Sequence, residues 1–129
     1  MTIDMELLIH YTKLVEDHGW PVFEHLPPED GTPYPFVLIG EIDNTTTGDK
    51  SVLGGVINLT IDVWGHREDR PMVSKIANGI MQASLGTWHT PSYQFTGYKN
   101  AQQVQVSIDT GTTSSVYVRG QVNIELQIN

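Results

Sequence analysis

From residue 116 to residue 128 the chain alternates without losing phase. Val116, Val118, Val122, Ile124, Leu126 and Ile128 hold the even positions, with Gly120 the one gap. Tyr117, Arg119, Gln121, Asn123, Glu125 and Gln127 hold the odd ones. Strand side chains point alternately to opposite faces, so a period of two predicts a strand with one dry face and one wet face. A sheet with one apolar face needs a covering layer on that face, which limits the fold to a sheet plus something packed on one side. A strand of about 13 residues spans roughly 40 Å, too long for the core of so small a domain unless part of it meets a neighbour.

Other segments fill in the pattern. In 56–64, Ile57, Leu59, Ile61 and Val63 face one way and Asn58, Thr60 and Asp62 the other; 102–109 repeats this with Val104, Val106 and Ile108. Residues 91–96 make a further short strand, and 22–26 another after Pro21. The nearly continuous apolar run 34–42 predicts a central strand covered on both faces. Residues 4–17 predict a helix with Met5, Leu8, Ile9, Thr12 and Val15 as its apolar stripe, broadened by Leu7, Tyr11 and Leu14. Asp4 is placed to cap it and His18-Gly19 to stop it. A second helix opens at Asp69-Arg70-Pro71, buries Met72, Ile76, Ala77, Ile80 and Ala83, and runs to about Leu85, where Gly86 ends it. Gly79 inside it costs roughly 1 kcal/mol relative to alanine and suggests a close crossing. Pro27 to Pro33 reads as a rigid loop. Residues 43–55 are a polar, glycine-bearing connection, part of which extends its flanking strands as a projecting arm.

The order α-β-β-β-α-β-β-β predicts a single α+β domain, 1–129, with a mostly antiparallel sheet and two helices packed on one face. Strand order stays open, because turns at 43–55 and 110–114 fit more than one sheet. So does the path of 86–103.

Composition narrows the function. The 129 residues include no cysteine, which removes disulfides, thiolate metal sites and thiol nucleophiles, and fits folding in a reducing compartment. No apolar run approaches a membrane span, and the acidic start lacks the basic residues of a signal peptide, so folding in the cytoplasm without a membrane partner is expected. The net charge of −8 argues against a phosphate-backbone binder. Residues 1–49 carry ten acids and one base, whereas 50–129 carry five acids and six bases. Unlike halves suit a head-to-tail interface; alternatively the acids simply keep the domain soluble.

Site chemistry is sparse. The five histidines never fall three or four apart, and no Walker, dinucleotide-binding or nucleophile-elbow motif occurs. No catalytic residue, metal or cofactor is therefore predicted. The best pair of carboxylates for acid–base work is Asp62 with Glu41 or Asp43 on the neighbouring strand; Asp62 with Glu41 is the basis of a less favoured reading as a small ligand-binding or hydrolytic domain. Trp64, Trp88, Tyr93, Phe95 and Tyr98 lack interleaved bases, which favours core packing or a protein interface over base stacking. The candidate interface residues are Thr45, Thr46, Thr47, Asp49 and Lys50 of the arm, and Trp64. His66, Arg67 and Arg70 follow from the charged turn after it, and Arg119 comes from the polar face of the last strand.

Taken in order, Tyr34-Pro35-Phe36-Val37-Leu38-Ile39-Gly40-Glu41, a Thr- and Gly-rich connection, Ile57 through Val63-Trp64, a helix, and Val116-Tyr117-Val118-Arg119-Gly120-Gln121-Val122 resemble the small tail-completion (tail terminator) proteins of long-tailed phages. That family shows a Y-P-hydrophobic-G-E strand, a variable loop, a strand ending in V-W, a helix and a late Y-R-G strand. The resemblance implies a non-catalytic virion protein of the tail neck. It would form a homohexameric ring on the head-proximal end of the tube, stop growth of the major tail tube protein and dock the head connector or stopper protein. DNA would pass through the ring without specific binding, and an acidic lining would suit that passage. The alternative within this class is another head–tail joining ring.

Overall fold

The computed structural model describes residues 1–28, 31–45, 55–109 and 116–129. Its elements run α1 (Ile3–Asp17), β1 (Val22–Phe23), β2 (Phe36–Thr45), β3 (Val56–His66), a 3-10 turn (Arg67–Asp69), α2 (Arg70–Ala83), β4 (Gly86–His89), β5 (Gln94–Gly97), a second 3-10 turn (Lys99–Ala101), β6 (Gln103–Asp109) and β7 (Tyr117–Ile128). The fold is α+β: one seven-stranded, mostly antiparallel sheet in the order β1-β2-β3-β7-β5-β4, with β6 also pairing β7. Only β1 is parallel to its neighbour. β4 occupies part of the stretch whose path the sequence left open.

The alternating strands behave as their period requires. Ile57, Leu59, Ile61 and Val63 of β3 and Val118, Val122, Ile124 and Leu126 of β7 are buried together beneath the helices. Fully burying a side chain of this kind contributes about 1.5–3 kcal/mol, so these two strands carry much of the core. The length of β7 does not call for a neighbouring molecule. It pairs β3 along one edge from Tyr117 to Gln127, while β6 and β5 lie end to end along the other. The gap between β5 and β6 is closed by a side chain: the Gln102 amide donates to the Glu125 carbonyl, and its oxygen accepts from the Glu125 N–H, both at 2.8 Å.

β2 departs from the expected central, doubly covered strand. It lies one place in from the sheet's edge, beside two-residue β1. Its first half is covered on both faces, Val37 and Ile39 by the helices and Phe36 by the rings of Phe23 and Tyr34. Beyond a bulge between Ile39 and Ile42, Glu41, Asp43 and Asn44 are exposed. β1 is correspondingly shorter than the 22–26 strand expected. Residues 43–45 do extend β2, with Thr45 level with Val56.

α1 buries part of the expected stripe, Leu7, Tyr11 and Val15, together with Ile3, but not all of it: Met5 and Ile9 are 42% and 48% exposed. Apolar residues nearly encircle this helix, so spacing alone does not choose the row. Tertiary packing fixes it, including that of Tyr11, the bulkiest fully buried side chain, whose hydroxyl pairs with Ser84 Oγ at 2.7 Å. Asp4 does not cap the helix: Thr2 holds that position with no side-chain bond, and Asp4 lies in the first turn. There its charge still suits the positive end of the helix. Buried Glu6 accepts from the Ser92 N–H at 2.9 Å. Burial pushes its pKa up, but the bonds from Ser92 and Thr90 outweigh this and hold it below the usual carboxylate value.

α2 begins with Pro71 in its first turn and ends at Ala83 with Ser84 as its cap, while Gly86 (φ 85°) turns the chain into β4. Its close crossing is not at Gly79, where an added Cβ would meet only the Trp20 ring at 3.7 Å. It is at Val73, which settles into a recess left by Gly65 of β3 and Gly120 of β7; a Cβ on these would lie 2.7 and 2.9 Å from Val73 methyl carbons. Gly120→Ala is expected to lower stability by about 1–3 kcal/mol through overpacking. Gly79→Ala is expected to leave stability unchanged or raise it by up to about 1 kcal/mol. Urea unfolding midpoints of the two variants check this contrast.

Candidate interaction face

Both helices cover the same face of the sheet. α2 packs over β3, β7 and β6, while α1 reaches from β2 to β4, where His10 stacks on Trp88 at 4.4 Å. No helix among the described residues lies on the opposite face. It carries the second set of strand side chains: Phe36 and Leu38 of β2, the even positions of β3 and the odd positions of β6 and β7.

At one corner these side chains form a connected group. Arg119 stands opposite Trp64 in the β3–β7 register, and Asp62 opposite Gln121. From that diagonal, Arg119 Nε donates to Asp62 Oδ1 at 3.0 Å and Nη2 to Oδ2 at 3.1 Å. Its Cζ lies 5.3 Å from the centre of the Trp64 ring. The Asp62 side chain is 10% exposed and that of Arg119 35%, so the carboxylate depends on the guanidinium for its solvation. The bonds to Asp62 hold the Arg119 pKa above its ordinary value, against the lowering effect of burial.

An aromatic group adjoins this pair. The ring of Tyr34 sits 4.2 Å from His66 and 5.8 Å from Tyr117, and it meets Phe36 edge-on at 5.2 Å. Phe36 in turn meets Phe23 at 5.5 Å. The turn beyond β3 is fixed by the His66 N–H, which donates to Asp69 Oδ2 at 2.8 Å.

The corner thus gathers three of the residues singled out in the sequence, Trp64, His66 and Arg119. Arg67 and Arg70 follow on the exposed turn and at the start of α2. Thr45 ends β2, while Thr46, Thr47, Asp49 and Lys50 lie outside the described residues. The bidentate carboxylate partner of Arg119 belongs to its own chain, not to a neighbour. Tyr34, Phe36 and Tyr117 were missed as members of the group. Tyr34 lies two residues before Phe36, and Tyr117 two before Arg119, but their adjacency depends on the strand order.

Asp62 and Glu41 are not brought together as an acid–base pair. Both Asp62 oxygens are taken by Arg119, and exposed Glu41 lies at the bulge, three residues past Leu38, the register partner of Asp62. A hollow on the same face, lined by Asn58, Thr60, Gln103, Asn123 and Glu125 among others, has a volume of about 160 Å³. Small-molecule pockets usually enclose roughly 300–1,000 Å³. Among the described residues no three His, Asp or Glu side chains gather as a metal-ligand set, and no helix is long and apolar enough to cross a membrane.

Arg119→Ala leaves a nearly buried carboxylate without its partner. It is expected to cost about 1–3 kcal/mol, less than for a fully buried pair because the guanidinium is partly solvated. Arg119→Lys, which keeps the charge but loses the two-pronged geometry, should recover part of that loss. Chemical denaturation of both variants, with Asp62→Ala and the double variant completing a cycle, measures the coupling. A coupling below about 0.3 kcal/mol would mean that the pair is ordinary surface charge. Comparison with models of known protein families finds no match for this chain, and comparison with curated proteins finds none either.

Proposed function

We propose that this chain is a tail terminator, a subunit of a six-membered ring that caps the head-proximal end of a phage tail tube, halts its growth and offers its far side to the head connector. One observation carries the reading. The three strand segments on which the resemblance rests, 34–41, 57–64 and 116–122, are far apart in sequence but lie side by side in the sheet. Tyr34, Trp64, Tyr117 and Arg119 from these segments meet at one corner of the bare face.

Charge supports the same reading. Glu24, Glu41 and Asp43 are exposed along the β1–β2 flank, whereas at the other flank exposed Lys99 stands on the turn before β6 and Asp109 ends β6; Arg70 and Lys75 are exposed on α2, which packs over β7, β3 and β6. A closed ring repeats one heterologous contact, and flanks of unlike charge let that contact form with less like-sign repulsion than an acidic flank meeting its own copy. In such a ring the bulkier helix layer takes the outside of the curve, as helices do around closed barrels, and the polar bare face lines the hole. Terminating a tube and docking a connector are binding tasks, met by surface shape and charge.

The test is made in two settings. Added to polymerising tail tube protein, the purified chain should cap tubes and stop elongation, with rings visible at tube ends by negative stain. Deleting its gene from the phage that carries it should give overlong or headless tails. Normal tails with leaking heads would assign the chain to the neighbouring joining ring instead. Full infectivity without the gene would contradict both assignments.

A further inference from the structure

We infer that copies of this chain join through their sheets, the outer edge of β6 in one copy pairing antiparallel with the outer edge of β2 in the next. The inference rests on the ring reading and names the contact that closes it. Among the described residues, no backbone partner lies on the outer side of residues 103–108 of β6, which pairs β7 alone. The same holds for residues 39–45 of β2, because β1 reaches only Val37 and Leu38. An unpaired strand edge is a row of unmet donors and acceptors, and it templates the addition of another strand.

Three observations match these edges to each other. The first is direction. β2, β3, β7 and β6 are successively antiparallel, so β6 runs opposite to β2. Placed beside the next copy in the same orientation, it makes an antiparallel pair with the helix layers on one side.

The second is level. Through Gly120 and Val63, Val106 in the middle of β6 stands level with Val37. The middle of the free β2 edge is Ile42, level with Leu59, four residues further along β3. That offset of about 13 Å, across four strands about 4.8 Å apart, tilts the strands by about 35° to the ring axis, at the lower end of the 35–45° typical of closed barrels.

The third is side-chain character. Glu41 and Asp43 on the β2 edge would oppose their own copies in a β2–β2 contact, and like charges directly across strands are destabilising. β6 offers uncharged Gln103, Gln105 and Ser107 on the bare face before Asp109 ends the row, with no bulge, proline or lysine to repel a strand. On the helix side its row ends at Ile108, 49% exposed, near Val116, 39% exposed, both available for cover by a neighbour.

The absence of cysteine from the natural sequence makes the test direct. Asp43→Cys and Gln105→Cys place thiols on the bare face of the two edges, singly and together. The chains are assembled at high concentration or on tube ends, treated with a short bis-maleimide and run under denaturing conditions. The double variant should give a ladder of covalent oligomers, and each single variant should stay at monomer mass. Covalent dimers from Gln105→Cys alone would show β6 meeting β6 and overturn the inference. So would rings, seen by electron microscopy, whose double variant gives no ladder; that result leaves the terminator reading intact. A ladder from a protein that fails to cap tubes would uphold the contact and reject the terminator reading. A chain that stays monomeric alone and on tubes overturns both.

Discussion

The structure depends on the pairing of β7 along both of its edges. β3 accompanies it from Tyr117 to Gln127, β6 and β5 share its other side, and the Gln102 amide fills the break between them. A strand in that position has its backbone groups met inside the chain and its apolar row at the centre of the core. The neighbours follow from it. Val73 of α2 docks where Gly120 gives it room, and Arg119 reaches Asp62 because β3 and β7 are adjacent. The segments that carry the family resemblance converge for the same reason.

From this arrangement comes a sheet with two unlike faces and two unlike flanks. One face is dry beneath α1 and α2; the other is polar, with an aromatic and ionic corner. The flank at β2 carries exposed Glu41 and Asp43, whereas the flank at β6 is mostly uncharged, with Lys99 before the strand and Asp109 at its end. An object of this kind has direction in three senses, inside against outside, one flank against the other and one end of the strands against the other. The proposed ring between a tube and a connector would require such directionality, since each of its surfaces would meet a different neighbour.

Much of this was legible from residue types. The alternation in β3 and β7, the opening of α2 at Pro71 and the α+β order with both helices on one face could be read because each rests on local periodicity or on a terminal residue with a fixed preference. What the sequence hid was relational. β3 pairs β7 across an intervening helix and three strands, and no local pattern encodes that choice. The Asp62–Arg119 pair, the Tyr34–Tyr117 contact and the true site of close helix approach all depend on it. β4 escaped notice because Gly86-Thr87-Trp88-His89 has no alternation: all four residues are exposed or half-buried. In α1 the apolar residues were too numerous for spacing to pick the inward row, which is fixed by tertiary packing that includes the Tyr11 hydroxyl's partner Ser84, seventy-three residues away.

On the proposed reading the chain meets copies of itself through two sheet edges and turns its bare sheet face toward the hole they enclose. Cryo-electron microscopy of tail tubes incubated with this chain decides it, by showing whether a ring forms and which face borders its hole. The expected image has β3, β6 and β7 toward the axis, with Gln105, Gln121 and Asn123 facing the lumen and α1 and α2 outermost. A ring with its helices lining the hole, or subunits touching only through helices, would contradict it.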